Sequence, residues 1–113
     1  MASVRWVGTT FDDIVGPGNI RATISQTASS LSGTWASTFS DPSDDNGGTL
    51  GGNMNGASVS ATLTPRYGPG CQYAVTATLN SGATQMTGSY VSVSCNIAVT
   101  GSITLTKASN ATA

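Results

Sequence analysis

Apolar and polar residues alternate along most of this chain. Leu31, Gly33, Trp35 and Phe39 fall on one side of a repeat of two, and Ser32, Thr34 and Thr38 on the other. A strand places residues i, i+2 and i+4 on the same face, so the alternation predicts strands with one buried side. The word apolar–x–Gly–x–apolar recurs at Leu50–Met54, Met86–Tyr90 and Val99–Ile103.

Read in order, the first strand covers 3–10, with Val4, Trp6 and Gly8 inward. Phe11–Val15 reads as a connection whose apolar residues plug one end of the fold, the alternative being a lid over a cavity. Gly16-Pro17-Gly18-Asn19 has turn composition. Strand two holds Ile20, Ala22 and Ile24 inward, Thr27–Ser30 turns, and strand three runs from Leu31 to Phe39. Asp41–Gly48 reads as a long polar loop, strand four as 49–54, and Asn55-Gly56 as a type I′ hairpin centre. Val59, Ala61 and Leu63 alternate in strand five. Pro65–Gly70 cannot lie inside a strand. Tyr73, Val75, Ala77 and Leu79 give strand six, and 80–83 the next turn. Met86, Gly88 and Tyr90 give strand seven, where Val91 and Val93 break the phase and suggest a bulge near 91–92. Ile97, Val99, Gly101, Ile103 and Leu105 give strand eight, and 108–113 a frayed tail.

About eight short strands with hairpin-length links predict an all-β, antiparallel up-and-down meander. A flat sheet that size exposes two edges, so closure into a small barrel is expected, with a β-sandwich as the alternative. The 113 residues form one domain, 1–113, on this reading. Glycine at inner mid-strand positions Gly33, Gly52, Gly88 and Gly101 fits a tightly curved sheet with large neighbours to accommodate.

Composition removes several functions. Only 8% of residues are charged, against ~25% in ordinary soluble domains. Net charge is −1 with no basic run, which argues against nucleic acid as a partner. No apolar run approaches the ~20 residues of a membrane-spanning helix. The absence of histidine excludes histidine triads and histidine-ligated metals. No cofactor and no metal is expected.

Cys71 and Cys95 read as a disulfide, and hence as a mark of an extracytoplasmic (secreted or periplasmic) protein. If strands six and seven pair around 80–83, the residue opposite Cys71 falls near 93, close to Cys95. Met1-Ala2-Ser3 reads as a start on a mature chain whose leader has been removed. Asn110-Ala111-Thr112 matches a glycosylation sequon, relevant only in a eukaryotic secretory host; the rest of the chain has a bacterial look.

Candidate chemistry is sparse. Asp12 and Asp13 are one carboxylate pair beside apolar groups, but strand neighbours point to opposite faces, so capping outweighs catalysis and no catalytic residue is assigned. Asp41, Asp44, Asp45 and Asn46 offer oxygen ligands without the spacing of an EF-hand, and read as a soluble hairpin tip. Arg66 and Tyr67 form a charged–aromatic pair on a rigid loop of the kind that contacts ligands. Trp6, Phe11, Trp35 and Tyr90 are the other aromatic candidates for a ligand site, set against a plain core role.

Leu31-Ser32-Gly33-Thr34-Trp35, echoed by Met86-Thr87-Gly88-Ser89-Tyr90, resembles the Gly-Thr-Trp and Gly-Thr-Tyr strands of the avidin-like eight-stranded barrels within the calycin group. The resemblance implies a secreted barrel with a ligand pocket at one mouth. It does not extend to biotin chemistry: Trp6 and Trp35 are the only tryptophans, and Ile97–Lys107 holds no aspartate. The leading expectation is a non-enzymatic secreted barrel that binds a small apolar or mixed ligand at its mouth. The alternative is a structural or adhesive surface module, and the Thr-rich outer faces admit a homo-oligomer. An enzyme using Asp12 or Asp13 with Arg66 ranks third.

Overall fold

A computed structural model describes residues 3–66, 71–93 and 98–110, with side-chain surroundings as far as residue 108. Eight antiparallel strands close into a barrel in sequence order. They are β1 (Ser3–Asp12), β2 (Gly16–Thr27), β3 (Ser30–Phe39), β4 (Asn46–Asn55), β5 (Ser58–Pro65), β6 (Gln72–Leu79), β7 (Gln85–Val93) and β8 (Thr100–Asn110). The β1–β8 seam pairs Thr10 with Ile103 and Asp12 with Gly101, so no sheet edge is left open along it. A single 3₁₀ turn, Pro42–Asp44, interrupts the strand pattern among the described residues.

Alternation delivers the interior. Trp6, Ile20, Leu31, Trp35, Leu50, Val59, Leu63, Val75, Met86, Ile103 and Leu105 are all buried, together with Ala22 and Ala77. Their polar neighbours along each strand face solvent. Inner-face glycines let the strands wind this tightly. A methyl group on Gly33 would overlap the Thr23 carbonyl of the adjoining strand, and one on Gly101 would overlap the Tyr90 ring.

Several boundaries differ from the sequence reading. Gly16–Asn19 is not a turn but the opening of β2, with Pro17 opposite Phe11. The turn lies at 13–15, where Asp12 Oδ1 accepts hydrogen bonds from the Ile14 and Val15 amides. Nor is Phe11–Val15 a plug: Phe11 points outward at 56% exposure, and Ile14 stands at the rim at 58%. β4 starts at Asn46, because Gly47 and Gly48 pair with Ala36 and Trp35 inside the sheet. The β4–β5 turn is centred on Gly56 and Ala57, with Asn55 paired to Ser58. Gly56 alone takes positive φ there (61°), which is the type II′ pattern and not type I′.

No bulge occurs at 91–92. The β6–β7 register runs unbroken from Leu79↔Met86 to Gln72↔Val93, and Val91 and Val93 simply face outward. The register shift lies at the seam, between Arg5 and Trp6. Residues 108–110 belong to β8, not to a frayed tail, and Asn110 pairs with Val4. Ile97, the glycosylation sequon beyond Asn110, Tyr67 and Cys95 lie outside the described residues.

The connections divide between two ends. The two-residue turns after β2 and β4 and the 80–84 turn share one end with the start of β1 and the end of β8. The 13–15 turn, the 40–45 loop and the ends of β5 and β7 share the other, here called the mouth.

Candidate functional site

The inward parity of β1 continues beyond the apolar residues, through Gly8 to Thr10 and Asp12. Both are buried, and both lie near the mouth. The Thr10 hydroxyl donates to the Ser102 carbonyl at 2.9 Å. Asp12 Oδ2 accepts a 2.6 Å hydrogen bond from the Tyr90 hydroxyl, so the whole carboxylate is held by β7 on one oxygen and by its own turn on the other. Tyr90 meets Tyr73 edge to face with ring centroids 5.6 Å apart. Burial raises the Tyr90 phenol well above its ordinary value, and the bond to Asp12 raises it further. Burial also raises Tyr73, reinforced by the charge on Asp12.

Across the barrel, β3 contributes Trp35, Ser37 and Phe39. The Trp35 indole Nε1 donates to the Thr49 carbonyl at 3.0 Å, which fixes the ring within the core. Together these side chains surround a cavity of ≈ 340 Å³ opening at the mouth. Ile20, Leu63 and Trp35 are apolar parts of its lining, and Tyr73 and Tyr90 contribute aromatic surface. Ile14, Val15, Val99 and residues 43–46 also line it. That volume lies at the small end of ordinary ligand pockets, roughly 300–1,000 Å³.

A second cavity of ≈ 230 Å³ lies at the opposite end, among Val4, Trp6, Ile24, Leu31, Met54 and Met86. The two tryptophans therefore belong to different ends. Trp35 and Tyr90 come together at the mouth, and Trp6 does not join them. Phe11 faces outward beside Val91, in a shallow groove of the outer wall. Arg66 is exposed just after β5; its amide donates to the Gly47 carbonyl, and its side chain is not part of the cavity lining.

Asp12 and Asp13 do sit on opposite faces. Asp13 is outside and clasps Thr100 across the seam through its amide and both carboxylate oxygens. In the 40–45 loop, Asp41 accepts from the amide and hydroxyl of Ser43, and these bonds, the backbone one foremost, lower its pKa. Asp45 accepts from the Phe39 amide. Among the described residues, no three acidic or cysteine side chains converge as a metal site. Cys71 is disulfide-bonded.

Sequence reasoning missed Thr10, Ser37 and Tyr73, and read Asp12 only as half of a pair. The available signal was parity. Counting by two from Trp6 arrives at Thr10 and Asp12, which the alternation turns toward the barrel interior.

No protein-family model matches the chain, and no curated protein matches it. Its structure is similar to that of a redesigned β-barrel, mFAP1, solved bound to DFHBI. The match covers 90% of this chain and 91% of the other, with a TM-score of 0.72 at 17% identity. A likeness at that identity concerns the fold.

Proposed function

We propose that this protein is a non-enzymatic, extracytoplasmic barrel that binds a small organic ligand in the mouth cavity. The observation that carries the reading is the ≈ 340 Å³ space left between Trp35, Tyr73 and Tyr90 at the mouth, where polar and aromatic side chains meet. An eight-stranded barrel is just wide enough to be filled or to hold one small ligand, and this one leaves room. The structural neighbour, of like fold, was solved with a small molecule bound. The avidin-like strand words belong with the same reading, as does a Cys71–Cys95 bridge and the oxidising compartment it implies.

The two tryptophans allow a direct test. In Trp6→Phe the remaining indole, Trp35, reports the mouth; in Trp35→Phe, Trp6 reports the far end. Titration with a small aromatic probe is expected to shift the emission of the first variant in a saturable way and leave the second unchanged. The reverse pattern would move the site to the far end and defeat the proposal.

One observation favours a second reading. Phe11 and Val91 are exposed side by side along the outer groove, with Val93 two residues further on. Self-association through this strip predicts a larger particle at high concentration by light scattering, abolished in Phe11→Ser.

A further inference from the structure

The chain has five acidic residues, all aspartates: Asp12, Asp13, Asp41, Asp44 and Asp45. The topology brings every one of them to the mouth, on the end of β1 or in the connections after β1 and β3. Among the basic residues, Arg5 and Lys107 flank Trp6 in the seam toward the opposite end, and Arg21 pairs with Val7 and Ala36 partway along. Arg66 alone reaches the mouth, and it stays outside the cavity lining. The lining thus holds Asp12, Asp44 and Asp45 and no basic group.

Two further features point inward. Ser37 is only 7% exposed, lies on the inner face of β3 and lines the cavity, yet its hydroxyl has no hydrogen-bond partner among the described residues. Asp44, part-buried in the connection that follows β3, likewise makes no side-chain hydrogen bond among the described residues, whereas Asp12 and Asp45 are engaged with Tyr90 and the backbone. Ser37 and Asp44, neither committed to a side-chain hydrogen bond among the described residues, thus line the same accessible space as Trp35, Tyr73 and Tyr90.

Accepting that the mouth cavity is a binding site, we infer that its ligand is an organic cation: an ammonium group joined to a compact apolar or aromatic body. The rings take the body and offer their negative faces to the charge. Ser37 and Asp44 accept the N–H bonds, as charge-assisted bonds in Asp44's case. The one-sided placement of carboxylates draws cations toward the opening and turns anions away.

Three probes of one size separate the possibilities: phenethylammonium, phenethyl alcohol and phenylacetate, titrated by calorimetry into the unmodified protein at low ionic strength. The ammonium is expected to bind about tenfold tighter than the alcohol, from one partly screened charge contact, and phenylacetate not measurably. Added salt is expected to shrink the ammonium–alcohol gap. Asp44→Asn, whose side chain makes no hydrogen bond among the described residues, is expected to narrow that gap by weakening the ammonium several-fold more than the alcohol. Equal binding of all three, or tighter binding of phenylacetate, overturns the cationic assignment and leaves the pocket standing. No heat from any of the three up to millimolar concentration overturns the pocket and the assignment together.

Discussion

Asp12 is the residue on which the mouth depends. Its two oxygens join the β1–β2 turn to Tyr90 on β7 across the β8 strand between them. Tyr90→Phe removes one donor to a carboxylate and is expected to cost about 1–2 kcal/mol by chemical denaturation. The same bond gives a pH dependence. The folded phenol titrates above the 10.0 of a free tyrosine, so its stabilisation is complete below pH 10 and declines as the pH rises beyond it. The melting temperature of the native protein is therefore expected to fall more steeply above pH 10 than that of Tyr90→Phe. Parallel curves would sink the assignment. None of this was legible from residue types alone. The parity of β1 sets Asp12 and Asp13 on opposite faces; the barrel adds that Asp12 is enclosed against Tyr90 and that Asp13 clasps Thr100.

Period-two patterning carried the elements further than it carried the residues. Leu31–Phe39 became β3 with Leu31 and Trp35 buried, as the alternation required, and every strand was located to within a few residues. The errors share one cause, the reading of glycine and proline as punctuation. Gly16-Pro17-Gly18 and Gly47-Gly48 are strand, because a small barrel needs residues without side chains where neighbouring backbones close in. At Gly33 the obstacle to any side chain is the Thr23 main chain, which cannot swing aside. Gly33→Ala is accordingly expected to cost about 1–3 kcal/mol, as overpacking does. Gly51→Ala, where the nearest atom stands 4.0 Å away and the position faces solvent, serves as the tolerant control. Equal melting temperatures for the two variants would contradict the geometry. Val91 and Val93 misled for a different reason: two exposed valines mimic a shift of phase, and patterning alone cannot tell a bulge from an outward apolar strip.

At the scale of the molecule, closure does what length and charge cannot. The barrel measures 35 × 25 × 23 Å, and its seam joins β1 to β8 along nine paired positions from Val4↔Asn110 to Asp12↔Gly101. Hairpin contacts between consecutive strands are local, but this seam closes the whole chain. The disulfide at Cys71 adds a covalent restraint beside the mouth. The proposed pairing with Cys95 would close a loop whose loss on reduction is expected to cost on the order of 3 kcal/mol. Denaturation with and without reductant measures it, and an unchanged midpoint would argue against that pairing.

Because β1 begins and β8 ends side by side at the pole away from the cavity, the polypeptide can be re-cut without disturbing its opening. A short bridge spliced between the neighbourhoods of Val4 and Asn110, with fresh ends made at Gly56-Ala57, keeps all eight staves and every aspartate in place. By the same geometry, cargo carried beyond Val4 or Asn110 starts from beneath the vessel, at the pole away from the cavity.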